Sequence, residues 1–558
     1  MTLNKTGLRA GSAVVGMALL VTACGGSSGS KNPTGATKKG GQLEVLLVGD
    51  FEHLDPQRNY VSSALNFGRL LYRQLTTYKS QPGSAGSEVV PDLATTIGEA
   101  SDNAKTWTFK LKDGLKYEDG TPITSQDVKY GVERSMSPLI PDGPQYAKQY
   151  LVGGKDYKGP FEGKELDSIQ TPDAKTIVFK LNAPHGDFPY TVSLPTFSPV
   201  PKAKDTKVNY DNHVVSSGPY KIDTYKRGKS MTLSRNTYWS GDTVRKALPD
   251  TVNVLMGLDA NVIDQRIIAS AGADANAIQI DSSVQPANVA LVRSRPDVKS
   301  RSISGPTGFL RYIAMNTAKG ATKDVKVRQA LEYCINKTDQ QTARGGPDAA
   351  GDIATTILAP TVAGHQDFSL YADAAGDPTK GKQMLATAGY PNGFTATLET
   401  NTTTKGTNQA AAFQAAMKLC GVTIKVAAVD PGVYYTTIGD IAKEPEFVIA
   451  GWGPDWPAAS TVIPPLFDGR QIVPQGNQNF AQLNDPTINS EIDRIAAITD
   501  VSKSNTEWGK LDKKMMQDDA PIFPLLNEKA IFIVGKNVKG EFMHAFYGEP
   551  DVSAIGVA

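Results

Sequence analysis

A chain of 558 residues is longer than a single hydrophobic core usually organises, so two lobes or more are expected. Lys plus Arg (58) nearly balances Asp plus Glu (57), and discounting Lys5 and Arg9 of the leader leaves 56 against 57, a formal charge of −1. This balance gives no support to nucleic-acid binding or to adhesion to an anionic membrane surface.

Lys5 and Arg9 precede an apolar, small-residue run over 10–22, with the charge and length of a secretory signal rather than of a bilayer span. The run ends in Val21-Thr22-Ala23-Cys24, small residues suited to a signal-peptidase groove with a Cys at the cut. That ending resembles the lipobox of bacterial lipoproteins, whose thiol is diacylated before cleavage. Residues 1–23 would then be removed and Cys24 would carry the lipid anchor. Residues 24–41, rich in Gly, Ser and Lys, read as a flexible tether. A cleaved signal with an incidental Cys is the alternative. Either way the protein is expected outside the cytoplasmic membrane.

After Gly41, Leu43, Val45 and Leu47 alternate as in a strand, and 63–76 carries the apolar spacing of a helix. Trp107, Phe109 and Leu111 alternate on one face, with Asp113-Gly114 and Asp119-Gly120 supplying positive-φ turn residues. Thr124 with Asp127 makes a capping-box start for a helix to about Ser137. Further strands are expected around Ile177, Phe179 and Leu181, and over 252–256, followed by a helix over 259–271. The cluster Ser304-Gly305-Pro306-Thr307-Gly308 reads as a breaker before a strand over 309–315. Beyond it the signals alternate: helices at 324–337, 378–389 and 407–420, strands at 394–400, 422–429 and 446–452. Such alternation suggests a separate α/β lobe. A helix over 505–518 and a strand over 531–534 close the chain.

Cys334 shares a helical face with Val327 and Leu331, and Cys420 shares another with Phe413 and Met417. Both thiols therefore point inward, and outside the cell they can form a disulfide or remain two separate buried thiols.

Catalytic motifs are wanting. Gly25-Gly26-Ser27-Ser28-Gly29 fits G-x-S-x-G, but no strand precedes it. Gly228-Lys229-Ser230 looks like the end of a phosphate loop, yet position 223 is Asp instead of Gly. The five histidines are scattered, so no metal site and no cofactor is expected.

The conspicuous stretch is Phe447-Val448-Ile449-Ala450-Gly451-Trp452-Gly453-Pro454-Asp455-Trp456-Pro457. A buried-strand run ends in Gly and Pro, and one carboxylate stands between two indoles with no Lys or Arg nearby. Removing an ionised carboxylate from water costs several kcal/mol (order of magnitude) unless a cation or donors meet it. Asp455 is therefore a solvated loop residue, the partner of a remote Arg, or a ligand anchor. Trp452 and Trp456 divide in the same way between core and site.

Seven segments, in order, resemble the family 5 solute-binding proteins, the peptide and nickel receptors of ABC importers. They are the region 107–134, Phe197-Ser198-Pro199-Val200-Pro201-Lys202, Gly218-Pro219-Tyr220, Leu233-Ser234-Arg235-Asn236-Thr237-Tyr238-Trp239, Asn316 with Val327-Arg328-Gln329-Ala330-Leu331, Ala388-Gly389-Tyr390-Pro391-Asn392-Gly393-Phe394, and the stretch around Asp455. The resemblance implies an α/β, two-lobed periplasmic-binding-protein-like fold of type II, in the large peptide-binding cluster, with an extra N-terminal subdomain. It divides the chain into a first lobe of 42–305 plus 523–558, containing an inserted subdomain at about 82–210, and a second lobe of 306–522, with hinge crossings near 305 and 522.

By the same resemblance Asp455 pairs with a peptide's α-ammonium and Trp452 matches the preceding aromatic, while Trp456, as a neighbouring indole, would add cation–π or stacking contact. Separate permease and ATPase subunits are the partners of a monomeric receptor. Where peptide-binding relatives continue with an acidic or Asp-Pro element, this chain has Pro457-Ala458-Ala459-Ser460, which leaves ligand length and type open. An oligosaccharide stacked on the aromatic rings is the alternative ligand. The competing class is an extracellular peptide hydrolase. Nickel is disfavoured by the sparse histidines.

Overall fold

The computed structural model describes residues 37–140, 142–430 and 434–557. The signal 1–23, Cys24 and the tether up to residue 36 lie outside the described residues. No helix among the described residues is long and apolar enough to cross a membrane.

Two separate sheets make the two lobes. In the first, Gln42–Leu46 pairs in parallel with both Thr251–Leu255 and Ala277–Gln279, and the antiparallel hairpin Tyr220–Lys226 and Ser230–Arg235 extends the sheet. Gly228 turns this hairpin at φ +67°, so Gly228-Lys229-Ser230 is a turn and not a phosphate cradle. A four-stranded antiparallel sheet is attached, with Thr106–Lys110 and Thr176–Lys180 at its centre. Trp107, Phe109, Ile177 and Phe179 alternate inward from these strands onto the first lobe's core. The helix Ser125–Ser135 follows, opened by the Thr124/Asp127 capping box.

The second lobe is a six-stranded mixed sheet in the order Asp352–Ile353, Ile522–Ile533, Ser302–Met315, Phe447–Trp452, Thr395–Asn401, Thr423–Val429. Parallel neighbours need a long crossover, here the helix Thr404–Leu419, which buries Phe413 and Met417 against the sheet. The structure joins Cys420, just past that helix, to Cys334 at the end of Val325–Cys334, with Cα atoms 6.0 Å apart. Gly381 lies under the bridge, where a Cβ would stand 2.5 Å from one sulfur and 3.0 Å from the other.

Two antiparallel strands carry the chain between the lobes. Ser302 pairs with Ile533 at one end and Ala314 with Ile522 at the other. Ile531 and Ile533 pack with Leu46 and Ile263 of the first lobe, whereas Ile313 and Phe523 belong to a core of the second. The expected breaker cluster does not end the strand. Pro306 pairs with Lys529 and Leu310 with Asn527, so Thr307-Gly308-Phe309 bulges out opposite Glu528, with Gly308 at φ +83°. Gly and Pro here mark a bulge, which retains the ladder on either side.

Other boundaries differ as well. The helix expected over 63–76 stops at Gly68, where the Tyr72 ring leaves no room for a Cβ, and the chain turns into the strand Thr76–Tyr78. The last crossing strand begins at Ile522 and runs through Pro524, well before the expected start at 531.

Candidate functional site

The strand Phe447–Trp452 delivers its end to the space between the lobes. Two glycines let neighbouring side chains lie over it. A Cβ on Gly451 would stand 2.5 Å from the Arg311 guanidinium, and one on Gly453 would stand 2.6 Å from the Phe309 ring. Phe309 (41% exposed), Tyr435 (52%) and Tyr60 (40%) are the exposed aromatic rings of this region. Arg311 reaches Glu528 at 2.7 Å, and Arg344 meets the same oxygen at 2.7 Å.

Asp455 is met from the first lobe. The Tyr60 hydroxyl donates to one carboxylate oxygen at 2.5 Å, and the Tyr146 hydroxyl donates to the other. No Lys, Arg or His forms an ion pair with Asp455 among the described residues. Burial pushes its carboxyl above the ordinary aspartate range, and the two hydroxyls offset part of that rise. Burial and the facing carboxylate push both phenols upward, so they remain neutral donors. The missing counter-charge noted in the sequence is thus replaced by two neutral hydroxyls, which satisfy the lone pairs without neutralising the charge.

The two indoles divide. Trp452 is partly exposed, donates its N–H to the Thr461 carbonyl at 2.6 Å and lines a cavity of ≈ 480 Å³ together with Asp455, Tyr146 and Tyr150. Trp456 does not line this cavity. It is fully buried, belongs to the first lobe's core and meets the Tyr146 ring edge-on at 4.7 Å. Its N–H points to Asp187 at 3.2 Å, which also accepts from the Ser460 hydroxyl. The small residues of Pro457-Ala458-Ala459-Ser460 permit this insertion, since Ala458 packs in the same core as Trp456. A larger concavity of ≈ 680 Å³ lies around Trp239 and Arg245, away from the space between the lobes, where Arg245 is already paired with Asp92 and Asp242.

Sequence reasoning missed Tyr60, Tyr146 and Asp187. Tyr60 sits in an irregular loop, and only the spacing of Tyr146 and Tyr150 on the one-turn helix Tyr146–Tyr150 gave a local sign of a shared face.

Comparison with known proteins now bears on this geometry. Residues 88–473 match the bacterial extracellular solute-binding proteins, family 5. The chain belongs to that family. The glutathione-binding protein GsiB of Escherichia coli O1:K1 / APEC is 24% identical over 447 residues, covering 79% of this chain and 81% of that one. Heme-binding protein A of Haemophilus influenzae is 26% identical over 509 residues, 86% of each chain. Among solved structures, clavulanic acid biosynthesis oligopeptide binding protein 2 superposes with a TM-score of 0.85 at 34% identity, over 94% of this chain and 97% of that one. The family is one of solute-binding proteins, and the fold is two-lobed, of the peptide-binding cluster.

Proposed function

We propose that this chain is the receptor of an ABC importer, capturing peptides between its lobes with Asp455 as the anchor for the ligand's α-ammonium. The observation that carries this reading is a half-buried carboxylate between the lobes, held only by neutral hydroxyls. A ligand ammonium would supply the charge that Tyr60 and Tyr146 do not, as a charge-assisted hydrogen bond in a partly desolvated site. Relatives named for glutathione and oligopeptide binding support a peptide as the solute. In this reading Trp452 forms a wall of the ligand site and Trp456 holds the lobes together.

The lobes are 42–305 plus 523–558 and 306–522, and they rotate about the two crossing strands, closing because only the closed form lets the ligand touch both. Cys24 anchors the mature, monomeric receptor at the outer face of the cytoplasmic membrane beside its permease and ATPase partners. The test is calorimetry with a defined tripeptide and its N-acetylated form against wild type and Asp455→Asn. Acetylation and D455N should each cost about 2 kcal/mol or more and should not add. Equal affinity across all four combinations would overturn the assignment.

A further inference from the structure

The cavity beside Asp455 carries more negative charge than an ammonium anchor needs. Its walls hold Asp187, Asp455, Asp468 and Asp493 against one guanidinium, Arg470. Arg470 is already claimed by Asp468 at 2.8 Å and Asp493 at 2.6 Å. Burial pushes the His185 imidazole below its ordinary range, so that ring is neutral, and it stacks on Tyr150 at 3.8 Å. Asp187 therefore stands as a second carboxylate with hydrogen-bond donors, the Trp456 indole and the Ser460 hydroxyl, but no cation among the described residues. Asp187 and Asp455 line the same cavity.

The rest of the wall suits an organic cation. Tyr146, Tyr150 and Trp452 present aromatic surface, whose faces attract ammonium and guanidinium groups. Trp508 also lines the cavity and is 2% exposed. The volume, ≈ 480 Å³, falls within the range of small-molecule sites.

We propose that this cavity receives a second cationic group, the guanidinium or ammonium of the ligand's first side chain, between Asp187 and the aromatic walls. The preferred ligands are peptides beginning with a basic residue. This rests on Asp455 holding the α-ammonium, which places the first side chain at the cavity.

The test compares Arg-Ala-Ala with citrulline-Ala-Ala, a neutral near-isostere, by calorimetry on wild type, Asp187→Asn and Asp455→Asn. Wild type should bind the arginine peptide at least tenfold more tightly, and D187N should bring the ratio close to one. D455N should weaken both peptides. No preference in wild type, with D455N still weakening both, would overturn the cationic subsite and leave the ammonium anchor standing. A preference that survives D187N unchanged would overturn the role of Asp187. Absence of binding by either peptide would overturn the anchor as well.

Discussion

Half-buried Asp455 and fully buried Glu444 illustrate two uses of a desolvated carboxylate. Because burial raises the Asp455 pKa above the ordinary value of 3.8, acidification protonates it earlier than a surface aspartate. A ligand ammonium needs the ionised form, so its affinity should fall, by at most about tenfold per pH unit, once pH drops below the raised pKa. Titration calorimetry between pH 4 and 7 should show this slope in wild type and none in Asp455→Asn. Glu444 is not at the site. It is 1% exposed, accepts a hydrogen bond from Gln482 at 2.6 Å on one oxygen and leaves the other without a partner. Burial pushes its carboxyl up to about 8 from an ordinary 4.5. The folded protein therefore holds a proton that the unfolded chain has lost. The associated stability is complete below the unfolded pKa and is lost as pH rises through the folded one, at about 1.4 kcal/mol per pH unit. Glu444→Gln should remove that decline, and denaturant unfolding of both proteins from pH 5 to 9 measures it as a difference.

Among the elements, the disulfide is the most exposed to test. It links positions 86 residues apart and spans the strand Thr395–Asn401 and the helix Thr404–Leu419. Replacing both cysteines by serine should cost about 2–4 kcal/mol, read as a lower denaturation midpoint, with peptide affinity little changed because the bridge lies away from Asp455. Elements built from local patterns were legible in the sequence. The alternation of Trp107, Phe109 and Leu111 and the Thr124/Asp127 box describe what forms, since both depend on neighbours within a few residues. Gly305-Pro306-Thr307-Gly308 misled because a breaker cluster and a bulge have the same composition. Whether the ladder resumes depends on the partner strand, which lies more than 200 residues away in the chain. The site divides along the same line. Asp455 stood out because its own segment offered no cation, whereas Tyr60 and Tyr146 reach it, and Asp187 reaches Trp456, only through the packing of the first lobe onto the second.

At the scale of the molecule, the second lobe's loop is inserted into the first. Trp456 crosses from the Phe447–Trp452 strand end to a core that includes Tyr146. Trp456→Ala should therefore favour separation of the lobes in the free protein, by about 3 kcal/mol for loss of a buried tryptophan, visible as a larger radius of gyration by small-angle scattering. A compact free form unchanged from wild type would contradict that role. The crossing strands add a constraint of another kind. Two hydrogen-bonded connectors running side by side resist twist and shear, and their ladder is interrupted at two neighbouring levels, by Thr307-Gly308-Phe309 opposite Glu528 and by Leu525 between the Arg311 and Tyr312 pairs. Bending across these two adjacent levels is the soft coordinate left to the pair. If the lobes rotate about this pair as proposed, their movement reduces to a single angle, and one dye pair spanning the cleft should report every stage of ligand capture, with no second, uncorrelated distance to follow.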